Sequence, residues 1–311
     1  MIQQTLDDAL IYAKKFIKNG QVAAYIPELA KSDPTQLGVC VVTQDGTAYH
    51  AGDWQQQFTM QSISKTMALI LALELNGYDK VFSKVGVEPS GDAFNSIVKL
   101  ETKTILPLNP MINAGAIVTA SFCAGGLDPF GRFIERVRKL CGRTSIVLNN
   151  AVYSSEKIAG MRNRAMAYLM QEKNILECNA ETALDFYFKM CSIMVTTEDL
   201  ANYGAMLANN GVHPITRERL VEGWIVRIVK TLMLTCGMYD GSGEFAIKVG
   251  IPAKSGVGGG IVASVENRMG IATFCPGLDA KGNSIGGCRV LEYLSYHLNL
   301  HYFAGADLNV V

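Results

Sequence analysis

The sequence predicts an α+β fold in which an antiparallel sheet is flanked by the terminal helices and an all-helical segment is inserted between its strands. Three observations lead to this prediction. Strand patterns occur near both ends of the chain, apolar stretches of helical period fill the middle, and no repeat or Pro/Ser-rich linker separates independent domains. The 311 residues are therefore expected to form a single domain of two lobes.

The N-terminal part contains the first helix and the first pair of strands. Apolar residues recur at helical spacing over 2–17, and Asn19-Gly20 ends this helix. An apolar strand over 37–43 leads through the tight turn Gln44-Asp45-Gly46 into a second strand over 47–51. This order predicts an antiparallel hairpin that follows the first helix.

The middle of the chain is predicted to be helical. Five stretches place apolar residues at helical spacing and are joined by short polar links: 66–75, 114–125, 130–140, 163–170 and 182–194. Strand patterns return at 259–265 and 268–274, and a last helix fits 284–298.

The two distant strand pairs are expected to share one sheet. The chain then divides into an α/β lobe of about 1–63 and 235–311 and a helical lobe of about 64–234. A cleft between two such lobes is where a small-molecule site is expected.

Composition excludes several classes of partner. The 28 basic and 28 acidic residues cancel, so there is no electrostatic reason to expect a nucleic acid or an anionic membrane. Asp7, Asp8 and Lys14 interrupt the N-terminal apolar residues, which argues against a secretory signal. The eight cysteines are scattered without a C-x-x-C pair, so reduced core thiols and a cytoplasmic location are expected.

The histidines and glycines do not indicate a familiar catalytic or cofactor motif. None of the four histidines lies beside a G-x-S-x-G turn, so a Ser-His-Asp hydrolase is poorly supported. His297 and His301 are four residues apart, but no neighbouring Glu or third ligand completes a zinc site. The glycine-rich stretch 256–260 leads into a strand and not into a helix, so it is not a phosphate cradle. No metal or organic cofactor is expected.

A serine activated by a lysine is the remaining option. Ser62 and Lys65 lie three residues apart at the start of a predicted helix, where they share a face. A desolvated lysine can accept the serine proton, and the N–H groups of the first helical turn can bind an oxyanion. The motif alone is weak, because S-x-x-K also occurs at 96–99 and 154–157. By itself it is better explained as a capped helix start.

A second motif strengthens the first. Lys254-Ser255-Gly256 lies just before a predicted strand and is a conservative form of K-T-G. Class A β-lactamases and penicillin-binding proteins combine S-x-x-K with S-D-N and K-T-G. The succession of strands, helices and strands also matches that fold. The S-D-N element is absent, which favours a relative with a different set of recognition residues.

Seven segments together resemble a known family, the serine-dependent glutaminases, whose catalytic domain has the β-lactamase-like fold. The two most specific are Tyr-Ile-Pro-Glu-Leu-Ala at 25–30 and Asn-Pro-Met-Ile-Asn-Ala-Gly-Ala-Ile at 109–117. The others occur in family order at 61–66, 162–163, 184–188, 236–240 and 252–257. The resemblance covers nearly the whole chain.

The resemblance implies hydrolysis of the side-chain amide of L-glutamine to L-glutamate and ammonia. Ser62 would attack the amide carbon, Lys65 would take its proton, and the main-chain N–H groups of Ser62 and Val257 would form the oxyanion hole. Tyr239 would lie beside Ser62 and pass a proton to the departing ammonia. Tyr25 would lie close to the nucleophile and the substrate, and which tyrosine is the main acid/base stays open.

The resemblance also implies that four residues hold the α-amino and α-carboxylate groups of the substrate: Asn113, Glu156, Asn163 and Tyr187. Glu156 is the natural partner of the ammonium, and the amide and phenol groups supply hydrogen bonds. Each has a simpler explanation, since Tyr187 fits a helix core, Asn113 a helix cap and Glu156 a solvated face.

Two alternatives to a glutaminase stay open. One is a β-lactamase or peptidase-like serine hydrolase of the same fold, and the other is a non-catalytic glutamine-binding protein. The family resemblance also implies a homodimer or homotetramer, without indicating which surface pairs.

Overall fold

The computed structural model describes residues 2–91, 96 and 106–304. Its α-helices, in chain order, are α1 Ile2–Lys14, α2 Ser64–Asn76, α3 Tyr78–Phe82, α4 Asn113–Cys123, α5 Pro129–Cys141, α6 Asn150–Ala159, α7 Met161–Glu172, α8 Ala180–Cys191, α9 Thr197–Ala208, α10 Gly223–Cys236, α11 Ser242–Lys248 and α12 Ile285–His297. The strands are β1 Gly38–Thr43, β2 Ala48–Gly52, β3 Phe58–Thr59, β4 Met194–Val195, β5 Ala253–Ser255, β6 Gly260–Val265 and β7 Met269–Phe274.

The main sheet joins both ends of the chain. Its five strands are antiparallel and have the order β2-β1-β7-β6-β5. Cys40 on β1 faces His50 on β2 and Ala272 on β7. The prediction that two distant strand pairs share one sheet is therefore confirmed.

Both faces of this sheet are covered by helices. Val39 and Val41 of β1 belong to a core shared with α1 and α12, whereas Cys40 and Val42 belong to a core shared with α9. Side chains alternate between the two faces of a strand, so covering both faces buries every position. This arrangement explains why β1, β6 and β7 are apolar without a polar alternation.

Helix α9 approaches the sheet closely because small residues meet at the contact. A Cβ on Gly270 of β7 would lie 2.1 Å from the Ala201 carbonyl oxygen of α9. A side chain there would push the helix away from the sheet. The predicted division at 64 and 234 assigns this helix to the helical lobe, although it packs on the sheet; the division itself stays a prediction.

Helix α2 is the centre of the helical region. Every residue from Ser64 to Leu73 is buried, and α4, α5, α8 and α10 pack around it. A helix enclosed on all sides has no polar stripe, which accounts for the continuous apolar run in this segment. Its N-terminus is fixed by packing along the whole helix, and this is the end that carries Ser62 and Lys65.

Most predicted elements are confirmed within a few residues, but the pattern over 182–194 is wrong at its end. Helix α8 ends at Cys191, and Met194 begins β4, which pairs with β3. The pairing partner lies far away in the sequence, so periodicity could not indicate it. The sequence analysis also did not identify α6, α9, α10 or β5.

The described cysteines are all unpaired thiols and six of the eight are buried, as expected for core cysteines. Among the described residues, no helix is long and apolar enough to span a membrane.

Candidate active site

The S-x-x-K motif lies on a strained turn at the start of α2. Residues Gln61–Ile63 form one turn of 3₁₀ helix that runs directly into α2, and both Ser62 and Lys65 are buried. Gln61 has φ +47°, a left-handed conformation that is unfavourable for a residue with a side chain. Strain of this kind persists where the surrounding structure enforces it, which is common at functional sites.

The Lys65 amine is held by two oxygen acceptors. Its Nζ donates to the Met111 carbonyl oxygen at 3.1 Å and to Asn113 Oδ1 at 2.7 Å. Burial lowers the pKa of Lys65 to about 8. A neutral amine has two N–H groups and one lone pair, and the two acceptors engage both N–H groups. The lone pair of the neutral amine is therefore left without a partner among these contacts, and Ser62 lies one helical turn away in the sequence.

Tyr239 lies on a second strained turn, with φ +55°. Its phenol donates to the Ser255 carbonyl oxygen at 3.1 Å and is hydrogen-bonded to the Ser62 side chain. The Val257 N–H also donates to this phenol oxygen. Burial raises the pKa of Tyr239 above its usual value, so the phenol keeps its proton at neutral pH. The structure thus brings Tyr239 and Ser62 together, as the resemblance implies.

The Lys254 ammonium group lies over one face of the Tyr239 ring. Its Nζ lies 4.4 Å from the ring centroid and donates to the carbonyl oxygens of Gly237 and Ser255. Burial holds the pKa of Lys254 well below its usual range. The sequence analysis used Lys254 only as part of a motif and gave it no place in the site.

The other predicted residues line one small cavity of about 100 Å³ beside Ser62, here called the Ser62 cleft. Its walls include Tyr25, Ser62, Asn113, Glu156, Asn163, Tyr187 and Val257. Tyr187 is 3% exposed and lies inside the wall, whereas Tyr25 is 58% exposed and lies at the mouth. Residues from distant parts of the chain therefore converge on one cleft, although their individual roles stay predictions.

Glu156 is a buried carboxyl group without a full set of partners. Helix α6, capped by the Asn149 side chain, places it in the cleft wall. Burial raises the pKa of Glu156 to about 8, against the opposing effects of the neighbouring Gln61 and Ser192 side chains and of the charge on Lys65. No donor in the described parts of the chain reaches its Oε2 atom. A buried, ionised carboxylate with an oxygen that lacks a donor is stabilised by a cation.

Asn113 links the lysine to the recognition residues. Its Oδ1 accepts from Lys65, and its Nδ2 donates to Asn163 Oδ1 at 3.1 Å. The loop before it is fixed because Asn109 Oδ1 accepts the main-chain N–H groups of Met111 and Ile112 at 2.9 and 3.2 Å. Asn113 is therefore more than the helix cap that its local sequence suggests.

Sequence reasoning missed two residues that contact Glu156. Gln61 directly precedes Ser62, but nothing in S-x-x-K indicates a role for that position. Ser192 follows α8 and shares no pattern with the other residues of the site. Its contact with Glu156 depends on the packing of α8 against α6, which only the structure reveals.

The described lysine and histidine side chains of the competing motifs have partners outside the Ser62 cleft. Lys157 pairs with Asp185 at 3.1 Å, and Lys99 of the 96–99 match lies outside the described residues. His297 stacks on Tyr293, and His301 contacts the Ala246 carbonyl oxygen. Within the described ranges no cluster of His, Cys, Asp and Glu side chains could hold a metal ion.

Comparisons with known proteins agree along nearly the whole chain. A family model described as Glutaminase matches residues 20–303. Glutaminase 2 of Clostridium perfringens is 53% identical over 293 residues, which cover 93% of this chain and 96% of the relative. A glutaminase of Clostridium tetani is 51% identical over 306 residues, covering 97% and 100%.

Solved structures have the same fold. A Bacillus subtilis glutaminase in covalent complex with 5-oxo-L-norleucine, formed by reaction with 6-diazo-5-oxo-L-norleucine, is 40% identical with a TM-score of 0.89, covering 97% of this chain and 100% of that chain. A probable glutaminase, ybaS, is 38% identical with a TM-score of 0.91, covering 97% and 99%. The predicted α+β, β-lactamase-like architecture is thereby confirmed.

Proposed function

This chain belongs to the glutaminase family, and we propose that it hydrolyses the side-chain amide of L-glutamine to L-glutamate and ammonia through a Ser62 acyl-enzyme. The observation that carries the proposal is the cleft in which Ser62 lies beside the buried, incompletely paired carboxyl of Glu156. The covalent adduct described for the related Bacillus enzyme supports a nucleophilic residue in this family.

Substrate binding begins with the α-ammonium group of glutamine. Glu156 Oε2 offers it an acceptor that no described side chain occupies. The pair is charge-assisted when the carboxyl is ionised, so the ammonium lowers the pKa of Glu156 on binding. Asn113, Asn163 and Tyr187 line the same cleft and supply amide and phenol groups for the α-carboxylate.

Acylation uses the lysine as the general base. Ser62 Oγ attacks the amide carbon of glutamine while its proton passes to the lone pair of Lys65 Nζ. The oxyanion of the tetrahedral intermediate accepts from the main-chain N–H groups of Ser62 and Val257. The Val257 main chain interacts with the Tyr239 phenol in the free protein, which supports its place beside the reacting atoms.

Release of ammonia requires a proton on the leaving nitrogen. Tyr239 is hydrogen-bonded to Ser62 and keeps its own proton, so it passes a proton to that nitrogen and recovers one from Lys65. The C–N bond then breaks and leaves an ester on Ser62. Water, deprotonated by the same groups, attacks the ester, and glutamate leaves as Ser62 regains its proton. Tyr25 at the mouth covers the substrate.

The test is ammonia release from L-glutamine by purified wild type, Ser62→Ala and Ser154→Ala. Ser154 begins the other described S-x-x-K match and lies exposed on α6, so it is a matched control. We expect wild type and Ser154→Ala to turn over glutamine and folded Ser62→Ala to lose the activity. Treatment with 6-diazo-5-oxo-L-norleucine should add one covalent mass to wild type and none to Ser62→Ala.

Parallel substrates distinguish the alternatives. Hydrolysis of a chromogenic cephalosporin without glutamine turnover would identify a β-lactamase-like enzyme. Thermal stabilisation by glutamine without ammonia release would identify a binding protein. Either result contradicts the proposed reaction.

A further inference from the structure

A second cavity, of about 280 Å³, lies between α11 and α12 and is here called the Met238 cleft. The side chains of Met238, Phe245 and Val249 form its apolar floor, and all three are buried. The volume is several times the roughly 30 Å³ that one water molecule occupies in the liquid. The cleft shares no lining residue with the Ser62 cleft.

The rim of the Met238 cleft is charged, with one carboxylate shared between two cations. Glu244 pairs with Lys248 at 2.8 Å and with Lys281 at 3.2 Å. Arg289 is neutralised by Glu292 at 2.6 Å. The remaining acid, Asp279, accepts the main-chain N–H groups of Lys281 and Asn283. The two lysines therefore share one carboxylate, and each ammonium, which has three N–H groups, has donors left for a carboxylate of a ligand.

The cleft also contains a buried acceptor that lacks a donor. Asn283 is 4% exposed, and its Nδ2 donates to the Met238 carbonyl oxygen at 3.2 Å. That contact fixes which end of the amide is the nitrogen, because the carbonyl can only accept. No donor among the described residues reaches Asn283 Oδ1, so this atom requires an N–H or O–H group from outside.

The Lys281 side chain and the Asn283 amide both lie close to Gly241 in the lining of the cleft. Both Lys281 Cδ and Asn283 Nδ2 would lie 3.3 Å from a Cβ atom on Gly241. The lysine side chain is 38% exposed and flexible, so it can swing outward to meet a ligand. Such a movement would bring its ammonium to an anionic group of the ligand near the Asn283 amide.

We propose that the Met238 cleft binds an α-amino acid with an apolar side chain. The α-carboxylate would take the open position between Lys248 and Lys281, the α-ammonium would donate to Asn283 Oδ1, and the side chain would lie on the apolar floor. Each of the three parts of the ligand would contact a separate feature of the cleft. Binding here is independent of the reaction at Ser62.

The experiment measures thermal unfolding and isothermal titration of the full chain with L-leucine and L-methionine. Two analogues test the polar groups: 4-methylpentanoate lacks the amino group, and 3-methylbutylamine lacks the carboxylate. We expect the amino acids to raise the melting temperature in a concentration-dependent way and both analogues to bind at least about tenfold more weakly. Saturating L-glutamate should not displace the amino acids.

Variants locate the binding. Lys281→Gln should weaken L-leucine binding about tenfold while leaving glutamine turnover unchanged, and Lys139→Gln on α5 should match the wild type in both. Asn283→Ala should lose binding, with circular dichroism to verify its fold. Absence of any L-leucine effect overturns the proposal. So does binding that survives in Lys281→Gln at full strength, that L-glutamate competes away, or that 4-methylpentanoate reproduces.

Discussion

Replacing Glu156 with glutamine is expected to stabilise the fold and to damage substrate binding at the same time. Burial raises the pKa of Glu156 from 4.5 to about 8. Each unit corresponds to about 1.4 kcal/mol, so the native protein is destabilised by about 5 kcal/mol above pH 8 and by about 3 kcal/mol at pH 7. Glutamine has nearly the same shape and carries no such cost.

Above pH 8 part of this gain is lost through Lys65. The ionised carboxylate of Glu156 raises the pKa of Lys65, so its removal makes protonation of the buried amine less favourable. At pH 7 a carboxyl with a pKa of about 8 is mostly protonated, so we expect a net stabilisation of about 3 kcal/mol there, which corresponds to a rise in melting temperature of roughly 5 °C. Urea unfolding of Glu156→Gln and wild type measures the difference directly.

The pH dependence of this stabilisation tests whether burial of the Glu156 carboxyl is its cause. A carboxyl whose pKa is raised on folding gives stability at low pH that is lost as the pH rises through its folded value. The advantage of Glu156→Gln should therefore be near zero below pH 4.5, the ordinary pKa of the carboxyl, and grow until about pH 8. Glu172→Gln, an exposed change on α7, is the control and should show no such trend.

The catalytic efficiency of Glu156→Gln is expected to fall although its stability rises. Loss of a buried charge-assisted partner of the ammonium should lower kcat/KM at least about 30-fold. A variant that is less stable than wild type by a pH-independent amount would refute the argument from burial. A kcat/KM within threefold of wild type would refute the assignment of the ammonium to Glu156.

Three further predictions concern the base, the acid and a tight contact. The kcat/KM for glutamine should fall as the pH drops below about 8, because protonation removes the lone pair of Lys65 and the charge of Glu156; a flat profile from pH 6 to 9 would contradict this. Tyr239→Phe should lower kcat by about 10²–10⁴ with a smaller change in KM, and an unchanged kcat in steady-state assays would exclude it as the acid. Gly115→Ala should destabilise the protein by at least about 2 kcal/mol in urea unfolding, since its Cβ would lie 1.9 Å from the Asn109 carbonyl oxygen; wild-type stability would mean that the loop moves freely.

The layout of the fold could be predicted because its main elements have strong local patterns. The strands around Cys40 and Ala272 are mostly apolar on both faces, and α2 has a continuous apolar run over 67–73, so their type was evident from the sequence. The short strands β3, β4 and β5 could not be predicted, because two- and three-residue strands are defined by their partners. Helix α6 carries Glu156 and has a mixed pattern that local periodicity does not distinguish from a loop.

The site was accessible from the sequence only in part. Spacing alone placed Ser62 next to Lys65, and the second motif pointed to the strand that carries Ser255. The convergence of Asn113, Asn163 and Glu156 came from the family resemblance, since no spacing rule relates positions on α4, α7 and α6. Gln61 and Lys254 lie within the motifs, but their contacts with Glu156 and Tyr239 depend on neighbours in space that no spacing rule indicates.

The pairing of β1 with β7 also determines the order in which the parts of the protein can fold during synthesis. Cys40 finds its partner at Ala272, so the emerging N-terminal hairpin has an open edge until almost the entire polypeptide has left the ribosome. Closing a pair so distant in sequence is slow relative to forming helices. The helices around α2 can therefore gather first, while Tyr239 and Val257 reach Ser62 only with the last strands. A growing chain therefore has no assembled Ser62 cleft until the strands around Ala272 have emerged and paired.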